Sequence, residues 1–178
     1  MTQVLVLPGY ENSGPDHWQT LWERENPAYR RVEQRDWSFP RAEEWTATLH
    51  EAVTAAPERV ALVAHSLGCI TVARWAAEHP DAARELVQAA LLVAPADVER
   101  LPELPLGSFA PIPRRALPFR TTVVGSRNDP YMTFERTVEF AEAWGADLVD
   151  LGEAGHINAD SGLGSWPEGR RLLAELLS

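Results

Sequence analysis

The chain has 178 residues, of which 45% are hydrophobic and 24% charged, with a formal net charge of −10 at pH 7. This balance suits one globular domain, here 1–178, rather than a disordered chain, and the acidity argues against a nucleic-acid partner, since the basic pairs Arg30-Arg31, Arg114-Arg115 and Arg170-Arg171 are scattered. A lone cysteine, Cys69, excludes an internal disulfide framework and a multi-cysteine zinc site; no apolar run approaches a membrane span, and the strand-like opening leaves no room for a signal peptide, so a cytoplasmic location is expected.

In chain order, the first predicted element is a buried strand over Val4-Leu5-Val6-Leu7, which runs into the loop Leu7-Pro8-Gly9-Tyr10. Trp18 and Trp22, four residues apart, predict the packed face of a helix. A weaker run from Arg31 to Arg35 carries charges throughout and reads as an edge strand. Between Arg41 and Ala56, the residues Ala42, Trp45, Leu49, Val53 and Ala56 fall three or four apart, which predicts a helix beginning just after Pro40. A strand over Val60 to Ala64 and a helix over Leu67 to Glu78 follow, then a strand over Ala89 to Ala94.

The next stretch breaks the alternation. Pro95, Pro102, Pro105, Pro111, Pro113 and Pro118 forbid a long helix, and the segment reads either as a cover for an active site or as a passive connection. Beyond it come a strand over Thr121 to Val124, a helix over Tyr131 to Trp144 stopped by Gly145, and a strand over Leu148 to Leu151. A last helix starts near Trp166-Pro167-Glu168 and buries Leu172, Leu173, Leu176 and Leu177. Continuous apolar runs separated by amphipathic stretches predict an α/β domain with a mostly parallel sheet and helices on both faces.

The strongest chemical signal is Val63-Ala64-His65-Ser66-Leu67-Gly68, an apolar strand running into a serine and then into a helix. This is the setting of the nucleophile elbow G-x-S-x-G, with Ala64 at the first glycine position and Gly68 at the second. The turn crowds the residues two before and two after the serine, so both must be small, and alanine adds a single methyl. The chain order of such sites is Ser, then Asp or Glu, then His. His156, after the strand over Leu148 to Leu151, is the histidine that satisfies it. His17 and His50 read as structural, His79 as a residue near a helix end, and His65 as pointing away from the catalytic edge. Asp129, after the strand over Thr121 to Val124, is the candidate acid; it could also be a helix N-cap, and Asp97 is its rival. The backbone N–H groups of Leu67 and Tyr10 are the candidate oxyanion hole. Tyr10, Trp37 and Trp166 are candidates for the substrate pocket. Cys69, one helical turn past Ser66, reads as a small buried residue.

These motifs resemble a known family. Leu-Pro-Gly-Tyr (7–10), Asp16-His17-Trp18, Gln34-Arg35-Asp36-Trp37, Ala-His-Ser-Leu-Gly-Cys (64–69), Asn128-Asp129-Pro130-Tyr131, Ala143-Trp144-Gly145-Ala146, Ala-Gly-His-Ile-Asn (154–158) and Gly-Ser-Trp-Pro (164–167) together look like the small serine hydrolases related to retinoblastoma-binding protein 9. The resemblance spans nearly the whole chain. It implies a six-stranded α/β-hydrolase fold without a large lid domain, a triad of Ser66, Asp129 and His156, and hydrolysis of a small-molecule ester or amide.

No metal or other cofactor is implied, and no protein partner is specified. Activity is expected to fall as an imidazole base protonates in mild acid. Two alternatives remain at this level: an acyltransferase using the same residues while excluding water, and a non-catalytic protein-binding module that retains the fold. A Rossmann-type dinucleotide site is excluded, because Pro8-Gly9-Tyr10-Glu11-Asn12-Ser13-Gly14 lacks G-x-G-x-x-G.

Overall fold

In the computed structural model, which describes all residues from Met1 to Ser178, the short apolar runs become strands. They are β1 (Gln3–Leu7), β2 (Tyr29–Arg31), β3 (Val60–His65), β4 (Val87–Val93), β5 (Arg120–Gly125) and β6 (Asp147–Asp150). The amphipathic stretches become α1 (Trp18–Glu25), α2 (Ala42–Ala55), α3 (Leu67–Glu78), α4 (Pro80–Leu86), α5 (Phe134–Trp144) and α6 (Pro167–Leu177). One six-stranded sheet has the order β2-β1-β3-β4-β5-β6, and every neighbouring pair is parallel.

The strand sequences explain that order. Every residue of β3 is buried, as both faces of a central parallel strand must be, whereas β2 and β6 carry their charges at the two edges. Side chains alternate between faces along β3. Leu62 and Ala64 join the larger core with α2, α3 and α5, built on Trp45, Leu49, Ile70, Trp75, Phe140 and Trp144. Ala61 and Val63 face the smaller core, where α1 and α6 supply Trp18, Trp22, Leu172, Leu173 and Leu176. Because all strands run the same way, the turns leaving β1, β3, β5 and β6 gather at one edge of the sheet, where such folds carry their sites.

Three expectations need adjustment. The edge strand is shorter and earlier than the charged run Arg31 to Arg35, because pairing with β1 ends at Arg31 opposite Val6. Helix α5 begins at Phe134 rather than Tyr131, because Thr133 caps it and accepts from the Arg136 amide at 3.2 Å. The chain also re-enters helix at Pro80, a residue suited to the first helical position, to form α4. Gly145 does end α5, at φ 68°.

The proline-rich segment forms no lid domain. It holds one short 3-10 turn, Gly107–Phe109, and packs Val98, Leu101, Leu106, Phe109 and Ile112 into the larger core. Its start is clamped by a buried ion pair: Asp97 accepts from Arg136 Nε at 2.7 Å and Nη2 at 2.9 Å. No helix is long and apolar enough to cross a membrane.

Candidate active site

The elbow begins where β3 stops. Ser66 lies between the strand and α3 at φ 56° and ψ −120°, a conformation that L-residues rarely adopt and that costs on the order of 1–3 kcal/mol. Two glycines make the turn possible. A Cβ on Gly68 would lie 2.3 Å from the Leu7 carbonyl oxygen, and one on Gly9 would lie 2.8 Å from Ser66 Cβ and 3.0 Å from Leu67 N. The loop after β1 therefore rests directly on the elbow, backbone against backbone. Ala64, at the first small position of the motif, is fully buried on the opposite face of the strand from His65.

His156 comes to this serine on the return loop after β6. That loop turns at Gly155 (φ 61°) and Ile157 (φ 51°), on either side of the histidine. Asn128 Oδ1 accepts from the Gly155 amide at 2.8 Å, and Ser126 Oγ accepts from the Ala154 amide at 3.0 Å. Trp18 Nε1 donates to the Ile157 carbonyl at 2.8 Å. So held, His156 Nε2 lies 2.9 Å from Ser66 Oγ, and its Nδ1 lies 3.0 Å from each oxygen of Asp129. A carboxylate only accepts, so Nδ1 carries the proton and Nε2 is free to accept from the serine hydroxyl. Asp129 is buried with its side chain 3% exposed, and its Oδ1 also accepts from the Tyr131 amide at 2.9 Å. Hydroxyl, imidazole and carboxylate thus form one continuous series, the arrangement in which an imidazole can take a hydroxyl proton.

Two backbone amides near the elbow are without a backbone acceptor. Leu67 is the first residue of α3, so its N–H has no partner within the helix. The Tyr10 amide donates to no backbone carbonyl. The loop carrying Tyr10 is fixed by the Glu11 amide donating to the Trp37 carbonyl at 3.0 Å, and by Arg31 donating to Asn12 Oδ1 and the Ser13 carbonyl at 3.0 Å each.

Around Ser66 and His156 opens a cleft of about 360 Å³. Its lining combines apolar side chains, Ala96, Leu101, Leu104 and Leu106 of the proline-rich segment, with polar ones, among them Glu11, Asn12, Asn158 and Asp160. No arginine lines it. Tyr10 lines the cleft, as the sequence suggests, but the other two pocket candidates do not. Trp37 packs against the larger core, its ring edge-on to Trp45 at 5.5 Å. Trp166 is 2% exposed, packed in one cluster with Trp18 and Trp22, because it marks the start of α6 on the face that α1 covers. Being next to a loop did not make either ring part of the wall.

Other residues take clear places. Asp97, the rival acid, is committed to Arg136. Cys69 is fully buried, and that burial pushes its thiol well above the usual range, which makes it a poor nucleophile. Tyr131, not anticipated, lines the cleft with its ring 4.5 Å from that of His156. His17 and His65 are corrections of a different kind. His17 Nδ1 accepts from the Gln19 amide and caps α1, and His17 also lines the cleft; burial lowers its pKa to about 3. His65 does not point away from the site. Its ring lies 4.7 Å from that of His156, and its Nε2 donates to the His156 carbonyl at 2.8 Å. Burial holds its pKa well below the ordinary imidazole value. Neither role has a sequence signature; that of His65 follows from which face of β3 the return loop crosses.

A family model described as serine hydrolase matches residues 4–175. The protein YdeN of Bacillus subtilis (strain 168) is 28% identical over 174 residues, 93% of this chain and 90% of its own. The crystal structure of a YdeN-like hydrolase from Pectobacterium atrosepticum SCRI1043 superposes with a TM-score of 0.88 at 33% identity, covering 99% of this chain and 90% of the other. Est1E from Butyrivibrio proteoclasticus, solved with ferulic acid bound, shares the fold at a TM-score of 0.73 and 11% identity, over 99% of this chain and 90% of Est1E.

Proposed function

This chain belongs to the serine hydrolase family, and we propose that it cleaves a small, uncharged ester or amide through an acyl-enzyme on Ser66, with His156 as base and Asp129 as its orienting acid. The observation that carries this reading is the unbroken series from Ser66 Oγ to His156 Nε2 at 2.9 Å and from His156 Nδ1 to Asp129 at 3.0 Å.

The steps follow from the atoms. Ser66 Oγ bonds to the carbonyl carbon while its proton passes to His156 Nε2 and the carbonyl π pair moves onto oxygen. In this reading the free amides of Leu67 and Tyr10 donate to that oxyanion, and Asp129 stabilises the imidazolium. The oxyanion pair then reforms the carbonyl, the leaving oxygen or nitrogen departs with its bonding pair, and His156 returns the proton to it. Water, deprotonated by His156, attacks the acyl carbon in the same sense and releases the acid and free Ser66. The leucines of the lining support an apolar acyl or alcohol part, and a lining with Glu11 and Asp160 but no arginine disfavours substrates bearing a carboxylate or phosphate.

The test is labelling with a fluorophosphonate probe followed by mass spectrometry. We expect modification of Ser66 in the wild-type chain and none in Ser66→Ala. Modification elsewhere, or a folded wild-type chain that resists the probe, would overturn the assignment.

A further inference from the structure

Three histidine rings meet at the edge of the sheet, and the chemistry above uses one of them. The rings of His65 and His156 are 4.7 Å apart, and those of His17 and His65 are 4.7 Å apart at 68°. Alternation along β3 puts His65 on the same face as Ala61 and Val63, the face that α1 covers and the His156 loop crosses. There its Nε2 is 2.8 Å from the His156 main-chain oxygen. A carbonyl oxygen can only accept, so His65 Nε2 carries the proton and donates.

His65 is also the residue covalently before Ser66. The hydrogen bond therefore closes a ring. The path runs from Ser66 through the peptide to His65, across the imidazole to the His156 backbone, out along the His156 side chain to Nε2, and back to Ser66 Oγ at 2.9 Å. The loop's other anchors come from elsewhere: Trp18 from α1, and Ser126 and Asn128 from the turn after β5. They hold the loop to the body of the protein, whereas His65 holds it to the backbone of the elbow itself. An anchor here offsets a local cost, because Ile157, next to the histidine, is held at φ 51°, a conformation unfavourable for a β-branched residue.

We propose that His65 is a positioning residue that sets the separation of Ser66 and His156 by donating a hydrogen bond from Nε2 to the His156 carbonyl. The inference rests on the reading of Ser66 and His156 as nucleophile and base. It concerns the geometry of proton transfer and not substrate binding, so it predicts a change in kcat with KM preserved.

The experiment compares His65→Gln with His65→Met using p-nitrophenyl acetate as substrate. Both replacements are unbranched and of equal length, but only glutamine can donate at the reach of the imidazole Nε2. His65→Met is expected to lower kcat about 10- to 100-fold with KM within about twofold, the scale of a reacting pair misplaced by roughly 1 Å. His65→Gln is expected to recover to within about fivefold of wild type, in keeping with one restored hydrogen bond. A Met variant with wild-type kcat, or Gln and Met variants equally impaired, would overturn the proposal. His65→Asn, whose amide falls one bond short, serves if the Met variant does not fold: it is expected to be impaired, and wild-type kcat in it also overturns the proposal. Independently of turnover, the downfield proton resonance of His156 Nδ1–H should persist in His65→Gln and move or broaden in His65→Met; an unchanged resonance in His65→Met counts against it. A wild-type chain unlabelled at Ser66 by the fluorophosphonate would instead sink the nucleophile assignment, and this inference with it.

Discussion

Asp97 and Asp129 are both buried carboxylates at the same edge of the sheet, and their partners separate them. Asp97 receives two hydrogen bonds from Arg136, whose guanidinium is held further into its charged form by this contact and by Glu99. Asp129 receives the ring N–H of His156. The two Asp→Asn variants should therefore fail differently. Asp97→Asn breaks a buried pair and is expected to cost about 3 kcal/mol in urea denaturation, with Ser66 still open to the fluorophosphonate. Asp129→Asn is expected to keep the fold but lose roughly 10³-fold or more in kcat, because an asparagine can hold His156 in the wrong tautomer. Equal loss of turnover in both would mean that the acid has been misassigned.

At the scale of elements, close approach decides which residues are tolerated. Gly169 sits inside α6, where alanine is ordinarily favoured by about 1 kcal/mol. Here a Cβ would lie 2.2 to 2.6 Å from the Trp166 ring, and that ring is itself buried against Trp18 and Trp22. Gly169→Ala is therefore expected to lower Tm by about 5 °C, despite its better helix propensity. A rise in Tm would show that the indole can move. The same cluster accounts for the fate of Trp166: a tryptophan that begins a helix on a covered face is core, whatever loop precedes it.

For the whole molecule, buried histidines set the response to acid. His17, at about 3 against an ordinary 6.5, and His65, also well below 6.5, stay neutral in the fold but take up protons once the chain unfolds. The unfolded state then binds more protons, so stability falls as pH drops below 6.5, by about 1.4 kcal/mol per pH unit for each group, until the folded pKa is reached. Glu99, held down to about 2 first by Arg114 and then by Arg136, acts in a lower window. Its contribution is complete above the ordinary 4.5 and is lost as pH falls toward 2. Urea denaturation across pH should resolve both limbs. His17→Asn keeps an acceptor for the Gln19 amide and is expected to flatten the limb between pH 6.5 and 3 by about one proton. An unaltered slope there would mean that His17 is not the buried proton acceptor.

How far the sequence reached follows from the range of its interactions. The strands, most helices, the elbow at Ser66 and the α/β class are written in local pattern: apolar runs flanked by amphipathic stretches, and small residues around a serine at a strand end. The order of Ser66, Asp129 and His156 along the chain pointed to residues that the fold joins through His156, 2.9 Å from Ser66 and 3.0 Å from Asp129. By itself, then, the sequence determined the strand and helix segments, the mostly parallel α/β class and the residue types gathered at the sheet's edge, while the strand order came from the tertiary structure. What it could not determine are contacts between residues far apart in the chain: the commitment of Asp97 to Arg136, the burial of Trp166 against Trp18 and Trp22, and the leucines that a proline-rich segment contributes to the cleft. The orientation of His65 belongs with these. Strand alternation assigns it a face, but only the packing of α1 and the course of the His156 loop decide what lies across that face, because burial and hydrogen bonding are properties of the assembled layers.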